Sequence, residues 1–136
     1  IPLSNSRNDI GMGMTGSFTY PLNQDDFLKL LKVKFGSGVI RFSETTKKPI
    51  TKVAVLGGSG SFAIAAAKAS GADAFVTSDL KYHDFFQAEN QILLADIGHF
   101  ESEQFTKNLI ADYLTEKLPN FAVLLTAINT NPVRYY

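Results

Sequence analysis

The chain has 136 residues, with 13 basic and 13 acidic side chains, two histidines and no cysteine. A length of this order makes one domain that buries about 68% of the surface its unfolded chain exposes, and the balanced charge supplies no long-range field to collect nucleic acid or an anionic membrane. The lack of cysteine excludes a disulfide framework and thiolate metal ligands and suits a cytoplasmic setting, while no apolar run approaches the roughly 20 residues of a membrane span and no signal-peptide pattern is present.

Residues 1–21 are rich in Gly, Ser, Asn and Thr without a sustained period and read as a linker, or the exit from a preceding segment, with at most one short strand. The start at Ile1 rather than Met points the same way, to a fragment or a trimmed product. Residues 22–136 then read as one α/β unit. Asn23, Gln24, Asp25 and Asp26 supply a cap and an acidic first turn for a helix whose stripe is Phe27, Leu28, Leu30 and Leu31 and which ends at Gly36 and Gly38. A short strand is expected over 39–42 and a turn at 47–49. The pattern then alternates: strand 53–56, glycine loop, helix 62–69, strand 74–77, helix 83–89, strand 92–95, helix 101–117 and strand 121–125. In the last helix Phe105, Leu109, Tyr113 and Leu114 recur at three- to four-residue intervals, and Pro119 ends it. Short, nearly all-apolar strands between helices imply a largely parallel sheet with helices on both faces.

In such a sheet, ligands bind beyond the carboxyl ends of the strands, and the residues there are polar: Gly57 to Gly60; Ser78, Asp79 and His83; Asp96, Gly98, His99 and Glu103; Asn129 to Asn131. His99 and Glu103 lie four apart at a helix start, which puts an imidazole and a carboxylate on one face a turn apart. Zn, Mn, Fe and Co all accept that pair, but two ligands do not close a site, so others must come from Asp79, His83 or Asp96, or from sequence before Ile1. Each of these residues also has an ordinary structural role open to it, as a helix cap or a packed histidine. Gly58, Gly60 and Ala63, with Asp79 further on, fit the dinucleotide fingerprint. Its physical content is a tight turn feeding a helix N-terminus that favours phosphate or carboxylate, so Gly58, Ser59, Gly60 and Asp79 are candidate cofactor-binding residues. The competing reading of the glycines is close strand-to-helix packing. There is no P-loop Lys and no nucleophile-elbow serine, and Lys32, Lys34, Lys47, Lys48 and Lys52 read as a solvated face.

Four ordered segments, Gly57-Gly58-Ser59-Gly60, residues 71–84 through Lys81-Tyr82-His83-Asp84, Asp96 to Glu103 and Asn129-Thr130-Asn131-Pro132, resemble the C-terminal half of the Nif-three-like family, whose members also carry the name GTP cyclohydrolase 1 type 2 homologues. The resemblance implies an α/β fold of two similar halves around two divalent metal ions, assembled as a homohexamer. It implies His99 and Glu103 as metal ligands, and His83 in the same cavity as the candidate catalytic proton carrier. The remaining ligands, a His-His pair and an Asp, would come from an N-terminal half; this chain has no His-His pair, so that half is an expected partner. The implied activity is a metal-dependent hydrolase. A regulatory or scaffold protein with a structural metal, and a dinucleotide-binding domain, are the alternatives.

Overall fold

The computed structural model describes residues 11–44 and 46–136. In chain order it contains β1 (Met14–Leu22), α1 (Gln24–Phe35), β2 (Arg41–Phe42), β3 (Ile50–Ser59), α2 (Ile64–Ala69), β4 (Ala74–Ser78), β5 (Leu93–Asp96), α3 (His99–Glu103) and α4 (Thr106–Lys117). Two 3₁₀ segments, Ser61–Ala63 and Tyr82–Ala88, lead into α2 and lie between β4 and β5.

The strands form one sheet in the order β1-β3-β4-β5-β2. The centre, β3-β4-β5, is parallel, and the edges β1 and β2 pair antiparallel with β3 and β5. Every residue of β4 and β5 is buried, as strands covered on both faces must be. Alternate residues feed opposite cores. Ala54, Leu56, Phe75 and Leu94 pack with Ile64 and Ala67 of α2 and with Leu80 and Ala88. Val53, Ala74, Val76, Leu93 and Ala95 pack with Phe27 and Leu31 of α1. The α/β architecture with helices on both faces is thus present, with the parallel pairing confined to the central three strands.

Helix α1 starts and stops where its residues dictate. Asn23 accepts from the Asp26 amide at 2.9 Å, Asp25 and Asp26 occupy the positive end of the helix dipole, and Gly36 takes the left-handed conformation that closes it (φ 63).

Several elements differ from the sequence reading. Residues 14–21, expected to be mostly linker, belong to β1, an exposed edge strand in which Pro21 can sit because its missing N–H is not needed in the sheet interior; residues 1–10 lie outside the described residues. The glycine loop is largely strand, since β3 runs through Gly57 and Gly58 to Ser59. The 83–89 helix is 3₁₀. The 101–117 helix is interrupted at Gln104 and Phe105, where Gln104 Nε2 donates to the Phe35 carbonyl at 2.7 Å and Phe105 packs edge-on to Phe35. Residues 121–125 form no strand. The edge of β5 is completed by β2 and by Ser43, whose amide donates to Leu94 O and whose hydroxyl accepts from Leu94 N, each at 3.0 Å. The apolar stripe of α4 is largely uncovered, with Leu109 and Tyr113 exposed and Ala111 buried.

Phe75, the second residue of β4, is 2% exposed. Replacing it with Ala is expected to lower the unfolding free energy by about 3–5 kcal/mol, measured by urea denaturation.

Candidate functional site

Parallel pairing sets the carboxyl ends of the three central strands side by side: Ser59 is opposite Ser78, and Thr77 is opposite Asp96. The chain leaves β4 through Asp79, whose left-handed backbone (φ 57) turns it back over the sheet edge, and leaves β5 through Gly98 (φ 95) into α3. Asp79, His99 and Glu103 thereby come together although Asp79 and His99 are 20 residues apart. Asp79 Oδ2 lies 2.6 Å from His99 Nδ1, and Glu103 Oε2 lies 3.2 Å from His99 Nε2. Ser59 donates its hydroxyl hydrogen bond to the same Asp79 oxygen. The imidazole is thus bracketed by two carboxylates. All three side chains are about half exposed, at 51% for His99 and Glu103 and 45% for Asp79.

The glycines make room for this cluster. A Cβ on Gly58, which has φ +69, would stand 2.5 Å from Glu103 Oε1 and 3.5 Å from His99 Cε1. The Gly58 amide donates to Ser102 Oγ and Ser102 in turn donates to His99 O, both at 2.8 Å, so α3 is pinned to the end of β3. Gly60 packs against Thr77, whose Cβ would be 3.0 Å from an added methyl, and Thr77 donates to Gly58 O at 3.0 Å. The space beside both fingerprint glycines is therefore occupied by the chain's own side chains, and Asp79 is engaged by Ser59 and His99. The packing reading accounts for Gly60, while Gly58 shapes the His99–Glu103 site.

Asp96 does not join the cluster. It is 4% exposed and accepts from Leu80 N at 3.0 Å and Gly98 N at 3.1 Å while pairing with Arg41. It anchors both strand exits, and Arg41 also donates to Leu80 O at 2.9 Å. His83 is exposed and stacks edge-on against Tyr82, beside Phe86; it does not line the cavity that holds His99. That cavity, of roughly 840 Å³, is lined by Arg41, Asp79, Asp96, His99, Glu103 and Tyr135, with residues 126–133 as another wall. Asn129 to Asn131 thus reach the rim, although the strand expected to precede them is absent. Ser102, Arg41, Glu101 and Tyr135 were not singled out from the sequence. Glu101 is buried near the Tyr135 hydroxyl, and burial, followed by the Glu101 charge, raises the tyrosine pKa above its usual 10.0. No local pattern marks these residues, because their partners come from distant segments.

The hydrogen bond from Ser59, followed by that with His99, holds the Asp79 pKa below its ordinary 3.8. The Asp79 hydrogen bond, reinforced by the charges of Asp79 and Glu103 and opposed by desolvation, raises His99 above 6.5. Among the described residues, no three His, Cys, Asp or Glu side chains converge on one point suited to a metal ion. His99 Nε2 and Glu103 nonetheless form a nitrogen and carboxylate donor pair on one helix face, with the Gly58 cradle leaving the carboxylate room. These residues fit a transition-metal ion as part of a donor set that other ligands must complete. No helix among the described residues is long and apolar enough to cross a membrane.

Fold and site together define an α/β protein with a His–carboxylate cluster at the carboxyl edge of a parallel sheet. A family model for Duf34/NIF3 (NGG1p interacting factor 3) matches residues 2–132, and the chain belongs to that family. It is 32% identical over 135 residues to the GTP cyclohydrolase 1 type 2 homolog of Staphylococcus epidermidis, covering 96% of this chain and 37% of the relative. Protein SA1388 of Staphylococcus aureus has a similar structure, with a TM-score of 0.80 at 30% identity over 93% of this chain and 42% of that one. A Bacillus cereus protein related to NIF3 has a TM-score of 0.79 at 27% identity over 99% of this chain and 38% of that one. The chain thus spans well under half the length of these relatives.

Gly58→Ala is expected to keep the fold, to lose about 1–2 kcal/mol from the left-handed backbone, and to displace the Glu103 carboxylate; Gly60→Ala is expected to lose about 1–3 kcal/mol by overpacking against Thr77 while leaving Glu103 in place. Denaturation and a crystal structure of each variant check this. The Asp79–His99 pair contributes stability above pH 3.8, lost as pH falls through the lowered Asp79 value, and below pH 6.5, lost as pH rises through the raised His99 value. The stability difference between wild type and Asp79→Asn is therefore expected to be greatest between pH 3.8 and 6.5. For a pair this exposed it stays within about 1 kcal/mol, as measured by denaturation across pH.

Proposed function

We propose that this chain contributes part of a divalent-metal centre in a longer NIF3-family protein, with His99 and Glu103 as ligands and the remaining donors supplied by another part of that protein. The observation that carries the reading is the pairing of His99 Nε2 with Glu103 Oε2 at 3.2 Å on one helix face, opening into the rim cavity. A bound divalent ion supplies Lewis acidity at neutral pH, and the reaction class that fits is metal-dependent hydrolysis. The GTP cyclohydrolase name of the relatives suggests a nucleotide-like substrate, and Zn, Fe, Mn and Co all suit the donors. Two ions per longer chain, a homohexameric assembly and a cytoplasmic setting belong to the same reading. Within this chain, His99 and Glu103 hold the ion, Gly58 leaves their approach clear, and Ser102 keeps α3 seated on β3. His83, exposed beside Tyr82 and Phe86, is in this reading the candidate proton carrier rather than a ligand.

Elemental analysis is expected to find about two divalent ions per chain in the longer protein and few or none retained by these 136 residues alone. His99→Ala and Glu103→Gln are each expected to reduce metal content and metal-dependent nucleotide hydrolysis in the longer protein with the fold unchanged. Affinity should rise with pH, because the proton on His99 Nε2 competes with the ion. Metal content unchanged in both variants would overturn the assignment; metal retained without turnover on any nucleotide would leave the ion a structural part of a scaffold.

A further inference from the structure

We infer that Asp79 is a positioning residue for His99: it holds the imidazole proton on Nδ1 and so leaves the Nε2 lone pair facing Glu103. The consequence for metal binding rests on the reading proposed above; the tautomer itself does not. Three geometric observations carry the assignment. The two carboxylates facing the ring are unequal, with Asp79 at 2.6 Å from Nδ1 and Glu103 at 3.2 Å from Nε2. A neutral imidazole has one N–H to donate, and the shorter contact is the better hydrogen bond. Asp79 is also set in place from behind, because Ser59 at the end of β3 donates to the same oxygen that receives the imidazole. Finally, Asp79 adopts a left-handed backbone at φ 57, a conformation that Asp and Asn tolerate better than most residues and one that persists where surrounding contacts over-determine it.

This arrangement is that of a carboxylate behind a ligating histidine, in which the outer group selects the tautomer and ring orientation of the inner one. It also gives the Ser59–Asp79 pair a role that a phosphate-binding loop would not require. Ser59 and Asp79 act on the site through the imidazole rather than by touching a ligand.

The chain has only two histidines, so ring nitrogens of the full chain labelled with ¹⁵N-histidine can be assigned with a His83→Gln variant. At a pH above the His99 midpoint, wild-type His99 is expected to show a protonated Nδ1 and an unprotonated Nε2. Asp79→Asn keeps a residue that tolerates the left-handed backbone. Its carboxamide can donate to Nδ1, so the proton is expected to move to Nε2 in most molecules, with backbone amide signals elsewhere unchanged. Titration with Co²⁺ alone, followed on the His99 ring signals, is expected to need about 10- to 100-fold more metal in Asp79→Asn than in wild type. A wild-type ring protonated on Nε2, or a tautomer unaltered by Asp79→Asn, would overturn the assignment whether or not metal binds. An altered tautomer with equal Co²⁺ affinity would remove Asp79 from metal positioning. A wild-type tautomer as expected, with no Co²⁺ response in the chain or in the longer protein, would instead defeat the metal reading and leave the Asp79 assignment standing.

Discussion

The structure depends on parallel pairing of three short strands buried on both faces. Parallel strands must be joined by crossovers that return the chain over the sheet, so each strand exit is a turn, and all the exits lie at one edge. Asp96 shows what that arrangement demands. Its carboxylate is removed from solvent to accept the amides of Leu80 and Gly98, one at the exit of β4 and one at the exit of its own strand β5, and it pairs with Arg41 from the antiparallel edge strand. Removing one partner of such a pair would leave a buried charge without compensation, so the group that fixes the rim is unsuited to exchange ligands there.

The solvent-facing groups of the rim are different ones. His99, Glu103 and Asp79 are half exposed, so their mutual attraction adds little to stability; what their geometry supplies is orientation. Small residues permit it. Gly58 at the end of β3 leaves its outer side clear for the Glu103 carboxylate, and the Ser102 hydroxyl joins the Gly58 amide to the first turn of α3. A short helix that could not hold its register alone is in this way fixed against a rigid strand, and the direction of the His99 and Glu103 side chains is set by main chain as well as by their own rotamers.

Much of the fold was legible because the relevant signals are local. The Asn23 cap, the Gly36 stop, the apolar strands at 53–56, 74–77 and 92–95 and their separation by turns all depend on residues a few positions apart. Residues 121–125 show the limit of that reasoning. They are as apolar as a strand, but a strand is a pairing rather than a composition, and no strand of the sheet pairs with them. Likewise, the period of α4 identifies a stripe without saying what covers it, and in this chain Leu109 and Tyr113 remain exposed.

By itself the sequence determined that an imidazole and a carboxylate would share one helix face, because an i, i+4 spacing fixes direction within a single element, and it determined that polar residues would collect after the apolar strands. Only the tertiary structure decided which of those polar residues meet. Asp79 reaches His99, Asp96 turns inward to Arg41, His83 packs on Tyr82, and the two fingerprint glycines part company, one making room for Glu103 and the other for Thr77. Each of those outcomes turns on a contact between segments separated along the chain, set by strand register and by the left-handed turn at Asp79, and neither quantity is encoded in the spacing of any one motif.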